Sequence, residues 1–105
     1  MTKISRETAI LTGKKYASLV RAEIDDEAFI MLFGSSSKNL SNDRSDIDIA
    51  VVSKTFGDDI ANDFARLYVI AYGVNAEIEP HPFSFKRWKD TTPFIREIME
   101  TGIEL

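Results

Sequence analysis

A chain of 105 residues with 44% hydrophobic and 29% charged residues has the size and balance of one soluble globular domain, residues 1–105, able to build a single core without staples. The absence of cysteine excludes disulfides, zinc–thiolate sites and thiol nucleophiles, and a formal charge of −4 argues against a long nucleic acid as partner. No apolar run approaches the roughly 20 residues that span a membrane, and the first residues lack the apolar stretch of a signal peptide, so a cytoplasmic, non-membrane location is expected.

Residues 5 to 24 read as a first helix, with Ile10, Ala17, Val20 and Ile24 at helical spacing, Ser5 as N-cap and Glu7 in the first turn. Residues 28 to 33 form a buried strand. Residues 35 to 45, rich in Ser, Asn and Asp, form a loop. A second strand covers 46 to 52, with Asp46, Asp48 and Ala50 on one face and Ile47, Ile49 and Val51 on the other. A second helix is expected from 58 to 72, with Ile60, Phe64, Leu67, Tyr68 and Ala71 as its apolar stripe and Gly73 as its stop. Residues 74 to 79 alternate as a third strand, with Glu77 and Glu79 on one face, and Pro80 and Pro82 end it. A short helix covers Ser84 to Lys89, a last one starts at Pro93 and stops near Gly102, and Ile103 to Leu105 add an edge strand. This order implies a two-layer α/β (α+β) domain: a small mixed sheet with helices packed on it.

The chemistry is concentrated between the first two strands. Gly34 and Ser35 close the run Phe29 to Phe33, and after ten further residues Asp46 and Asp48 open the next apolar run. Two carboxylates on one face of a strand repel each other in a dry place and so tend to share cations. Backbone N–H groups at a Gly-Ser turn receive phosphates. The combination suggests a magnesium–nucleotide site. In-line displacement at phosphorus uses two metal ions about 3.5–4 Å apart, which calls for carboxylates on neighbouring positions of a rigid element. A third carboxylate from the adjacent strand would complete the cage and accept the proton of the attacking hydroxyl; Glu77 and Glu79 both qualify. Residues 34 to 38 lack the second glycine of a P-loop, and Asp43, Asp46 and Asp48 lack the glycine and distal glutamate of a calcium loop.

On these residues the chain resembles the minimal nucleotidyltransferases of the DNA polymerase β-type superfamily, whose signature is Gly-Ser, about ten residues, then Asp-x-Asp. The leading helix, Leu32 to Ser35, Ser45 to Val51 and Pro93 to Ile103 all fit. The resemblance implies a nucleotidyltransferase fold, two Mg²⁺ ions on Asp46 and Asp48, and phosphate binding by Gly34 and Ser35. It implies Glu77 as the third metal ligand and base, with Glu79 as runner-up. Its implied activity is transfer of a nucleoside monophosphate, AMP from ATP or the equivalent from another NTP, onto a hydroxyl. Where the family often carries arginines after Gly-Ser, this chain has Ser36, Ser37, Lys38 and Asn39, so Lys38 supplies a point charge in place of a bidentate grip. Minimal members need a partner or a second subunit to complete the pocket. The resemblance therefore implies self-association or a small helical HEPN-type partner, as in toxin–antitoxin pairs where AMP is placed on the toxin. The rival expectation is a protein-binding, antitoxin-like module with a vestigial nucleotide site.

Other residues read more plainly. His81, between two prolines, is expected in a surface loop; Phe83, Phe85 and Trp88 in packing; and Phe64, Tyr68 and Tyr72 in the core.

Overall fold

A computed structural model describes residues 4–34 and 47–105. Their elements are α1 (Arg6–Glu23), β1 (Phe29–Phe33), β2 (Ile47–Val52), α2 (Ile60–Val74), β3 (Ile78–Phe83), α3 (Phe85–Lys89), α4 (Pro93–Thr101) and β4 (Ile103–Glu104). The expected 35–45 loop and Asp46 at the start of the second strand lie outside the described residues. The four strands form one mixed sheet in the order β3-β2-β1-β4. β1 pairs antiparallel with β2 and β4, and β2 pairs parallel with β3. This is the expected small mixed sheet with helices packed on it.

Local chemistry sets most element ends. Ser5 opens α1 by accepting the Thr8 N–H, and Thr92 opens α4 by accepting the Ile95 N–H, with Pro93 in the first turn. Asp59, expected inside α2, instead caps it by accepting from the Asn62 N–H. Gly73 does not stop that helix, which runs on through Val74. Asn75 ends it: its N–H reaches the Ala71 carbonyl and its Oδ1 accepts the Glu77 N–H at 2.7 Å, which turns the chain toward β3.

β1 and β2 are central and apolar on both faces, so each face needs its own cover. Ile30, Leu32, Ile47, Ile49, Val51 and Ile78 pack against Tyr16, Ala17, Val20, Leu67 and Ala71 of the long pair α1 and α2, which makes the principal sheet-on-helix layer. On the opposite face Met31, Phe33, Ala50, Val52 and Phe83 meet Ile95 and Ile98 of α4, with Trp88 of α3 beside them. Phe83 and Trp88 therefore serve packing, as expected, while Phe85 is left exposed. The α2 stripe differs from expectation. Leu67, Ile70 and Ala71 are buried, whereas Ile60 is 60% and Tyr72 74% exposed, because the row 60, 64, 68, 72 lies one step round the helix from the contact face.

The third strand is also displaced. Residues 74 to 77 finish α2 and turn, and the strand runs through both prolines instead of ending at them. β3 is an edge strand. The Glu77 and Phe83 carbonyls accept from the Ile47 and Ser53 N–H groups at 2.8 and 3.1 Å, so odd-numbered residues turn their backbone to β2. Pro80 and Pro82 then sit where an N–H would point off the sheet, a position in which its loss costs no ladder bond and discourages further strand pairing.

The fully buried Tyr16 ties the helix layer together, its hydroxyl donating to the Leu67 carbonyl at 2.9 Å. Burial, with a smaller contribution from Tyr68, pushes its ionisation far above the ordinary tyrosine range. A group whose folded-state pKa is raised contributes stability present below its unfolded value and lost above it. Tyr16→Phe is therefore expected to lower the unfolding free energy by about 1 kcal/mol at neutral pH. Denaturant titrations should also show the wild type losing stability above about pH 10 faster than the variant.

Candidate active site

Asp48 is the second residue of β2, and the register sets Phe33 of β1 on one side of it and Glu79 of β3 on the other. The strand alternation puts Asp48, Glu79 and His81 on the sheet face that α4 covers. At the Asp48 end this face is polar and open: Glu79 is exposed and the Asp48 side chain keeps 25% of its surface. Further along, Ala50 and Val52 are buried in the apolar cluster under α4.

The two oxygens of Asp48 have different surroundings. Oδ1 lies 3.2 Å from Nε2 of His81. Oδ2 faces Gly34, just past the end of β1, where a Cβ would come within 2.7 Å of it. Gly34 also holds φ at +83°, a backbone conformation that L side chains rarely adopt. Glycine is thus required here twice over, once by the turn and once by the approaching carboxylate. His81 is held by rings: Phe33 lies edge-on at 5.1 Å and Phe94 at 6.4 Å, and Phe33 and Phe94 meet at 5.6 Å.

Of the residues singled out in the sequence, Asp48 and Gly34 come together directly. Glu79 is the Cα partner of Asp48 across the parallel pair, whereas Glu77 lies two residues earlier, in the turn before β3, about 7 Å back along the chain. Asp46, Ser35 and Lys38 lie outside the described residues. His81 is a correction: it occupies a strand, half-buried against Asp48, because β3 continues through the flanking prolines. The signal that would have found it is the period-two spacing of Glu77, Glu79 and His81, interrupted only by prolines that an edge strand tolerates.

Among the described residues, one acidic group is close enough to share a cation: Asp25, Asp26 and Glu27. It belongs to the other end of the sheet, beside Ser53, five residues or about 16 Å of strand beyond Asp48. Two of its three residues already serve structural contacts. Asp25 takes the Ser53 hydroxyl at 2.7 Å and the Glu27 N–H at 3.0 Å, and Glu27 pairs with Lys54 at 2.9 Å. Burial of Asp25 alone would raise its pKa, but the Ser53 and Glu27 bonds and the Lys54 charge outweigh it and hold the carboxyl below its ordinary value. These contacts pin the turn between α1 and β1 to the end of β2.

A family model described as "Polymerase beta, Nucleotidyltransferase" matches residues 15–105. No curated protein and no solved structure matches the chain.

The geometry at Gly34 generates a direct test. Gly34→Ala should cost about 1–3 kcal/mol through the positive φ alone. Because the added methyl meets Asp48 Oδ2, it should also impair whatever ligand Asp48 holds, a loss that calorimetric titration with MnCl₂ would register separately from the stability change.

Proposed function

The chain belongs to the polymerase β nucleotidyltransferase family, and on that premise we propose that it transfers a nucleoside monophosphate, AMP from ATP, onto a hydroxyl in a Mg²⁺-dependent reaction. The observation that carries this reading is the approach of Asp48 to Gly34, with Glu79 as its cross-strand Cα partner on the other side. Carboxylate oxygens on a rigid sheet face are the hard donors Mg²⁺ prefers, and Asp48 is open enough to offer one. Two ions on Asp46, Asp48 and a glutamate of the β3 segment would neutralise the triphosphate and steady the leaving pyrophosphate. The register favours Glu79 over Glu77 for that third position.

The remaining roles fall to the chain itself. Gly34 allows the backbone after β1 to approach the site closely, which suits phosphate recognition by the N–H groups of the Gly34–Ser35 turn, with Lys38 adding positive charge. That glutamate, the third carboxylate, accepts the proton of the acceptor hydroxyl as the new P–O bond forms and pyrophosphate leaves. The sheet keeps the carboxylates from drifting apart, because β1 and β2 are packed on both faces.

A protein acceptor or partner, of the helical HEPN type, is favoured by the outward face of α2. Ile60, Phe64 and Tyr72 are exposed there in one uncharged row with Tyr68, on which Phe64 stacks at 6.5 Å, and Val69 is exposed beside that row. The second reading, a binding module with a vestigial nucleotide site, rests on the same face.

Two measurements separate the readings. ATP with Mg²⁺ should raise the melting temperature of the wild type, by an amount equivalent to about 2.7 kcal/mol at a hundredfold excess over Kd, and Asp48→Asn should abolish both the shift and monophosphate transfer. Intact mass of the protein encoded beside this one, co-expressed with it, should show a nucleoside-monophosphate adduct that the same variant removes. A complex without an adduct, and no shift with any nucleotide, would leave only the binding module. Val69→Glu with Tyr72→Glu should break the complex while the nucleotide-induced shift persists.

A further inference from the structure

His81 is the residue of this site that the family motif does not name. Its Nε2 stands 3.2 Å from Asp48 Oδ1. An ionised carboxylate only accepts, so in that state Nε2 carries the hydrogen and His81 is the donor. The pairing follows from the fold: Glu79 and His81 are successive residues on one face of β3, and the register places them opposite Asp48 and Ala50. The imidazole is confined by the edges of Phe33 and Phe94, and Phe33 is itself the cross-strand partner of Asp48. A carboxylate held by one oxygen cannot rotate freely. With Oδ1 engaged by His81, Oδ2 is left turned toward Gly34, the side on which the Gly-Ser turn would receive phosphates.

We propose that His81 is a positioning residue for the metal-binding carboxylate of Asp48, donating from Nε2 to fix which oxygen is presented to the cation. The inference rests on the nucleotidyl-transfer reading of the site. Ligating carboxylates are commonly oriented by such outer hydrogen bonds, and removing one weakens metal affinity by about 10–100-fold. The ring contacts with Phe33 and Phe94 are a separate, packing role that any flat side chain would retain.

The test is Mn²⁺ affinity, measured by calorimetry and by the loss of the free-ion paramagnetic resonance signal. It is applied to wild type, Asp48→Asn, His81→Phe, His81→Leu and His81→Gln, each checked for a cooperative thermal transition. His81→Phe keeps a ring but no donor, His81→Leu gives a second donor-free side chain should the ring fit poorly, and His81→Gln restores an N–H donor. The expected result is Mn²⁺ binding about 10–100-fold weaker in the Phe and Leu variants and recovered to within a few-fold in the Gln variant. Wild-type affinity in a folded donor-free variant would overturn the inference while leaving the site intact, and so would a Gln variant as weak as Leu. Wild-type affinity in Asp48→Asn would overturn the site reading itself, and the inference with it.

Discussion

Two backbone hydrogen bonds, from the Ile47 N–H to the Glu77 carbonyl and from the Ser53 N–H to the Phe83 carbonyl, bracket the parallel pairing of β2 with β3. Everything distinctive about the site follows from that pairing. It aligns Asp48 with Glu79 and leaves His81 one pleat further on, near enough to donate to Asp48. A slip of one residue would turn β3 over, burying Glu79 and His81 against α1 and α2 and exposing Ile78 and Pro80. The apolar face of β3 therefore guards the register of the polar one: Ile78 and Pro80 are both fully buried on the side of the long helices.

The two faces of the sheet divide their tasks. The face under α1 and α2 holds the larger core, closed by the Tyr16 hydroxyl on the Leu67 carbonyl. The opposite face is apolar only where α3 and α4 reach it; beyond Phe33 and Phe94 it becomes Asp48, Glu79 and His81. A carboxylate there is supported by rigid strands yet stays within reach of solvent and solutes, which metal or nucleotide binding requires. The acidic turn at Asp25 illustrates the contrast. Both Asp25 oxygens are taken by Ser53 and the Glu27 N–H, and Glu27 pairs with Lys54, so these charges hold structure.

The aromatic row of α2 is the other feature that the core does not absorb. The helix contributes Leu67, Ile70 and Ala71 inward and turns Phe64 and Tyr72 outward. An uncharged apolar helix row of this kind marks a surface suited to a partner, and it lies on the opposite side of the sheet from the Asp48 face.

Much of this was legible in the sequence. The Gly-Ser and Asp-x-Asp spacing, the period-two alternation of β2, the cap Ser5 and the helix-opening Pro93 act over a few residues, and local rules govern such distances. Gly34 could be singled out, but the reason it must be glycine belongs to tertiary structure, where Asp48 from the next strand fills the space of its Cβ. The prolines at 80 and 82 read as a strand end because a missing N–H is damaging wherever a neighbour needs it. Only the sheet order shows that, among the described residues, no strand stands on that side. Once β3 runs through them, the choice between Glu77 and Glu79 becomes a matter of register, and His81 moves from an expected loop to the carboxylate. Local spacing in the sequence singled out Gly34, Asp48, Glu77 and Glu79 as candidates and located the strands near them. Tertiary pairing decided which of them meet, because register and edge position depend on what lies across the sheet, and no local pattern of residues contains that information.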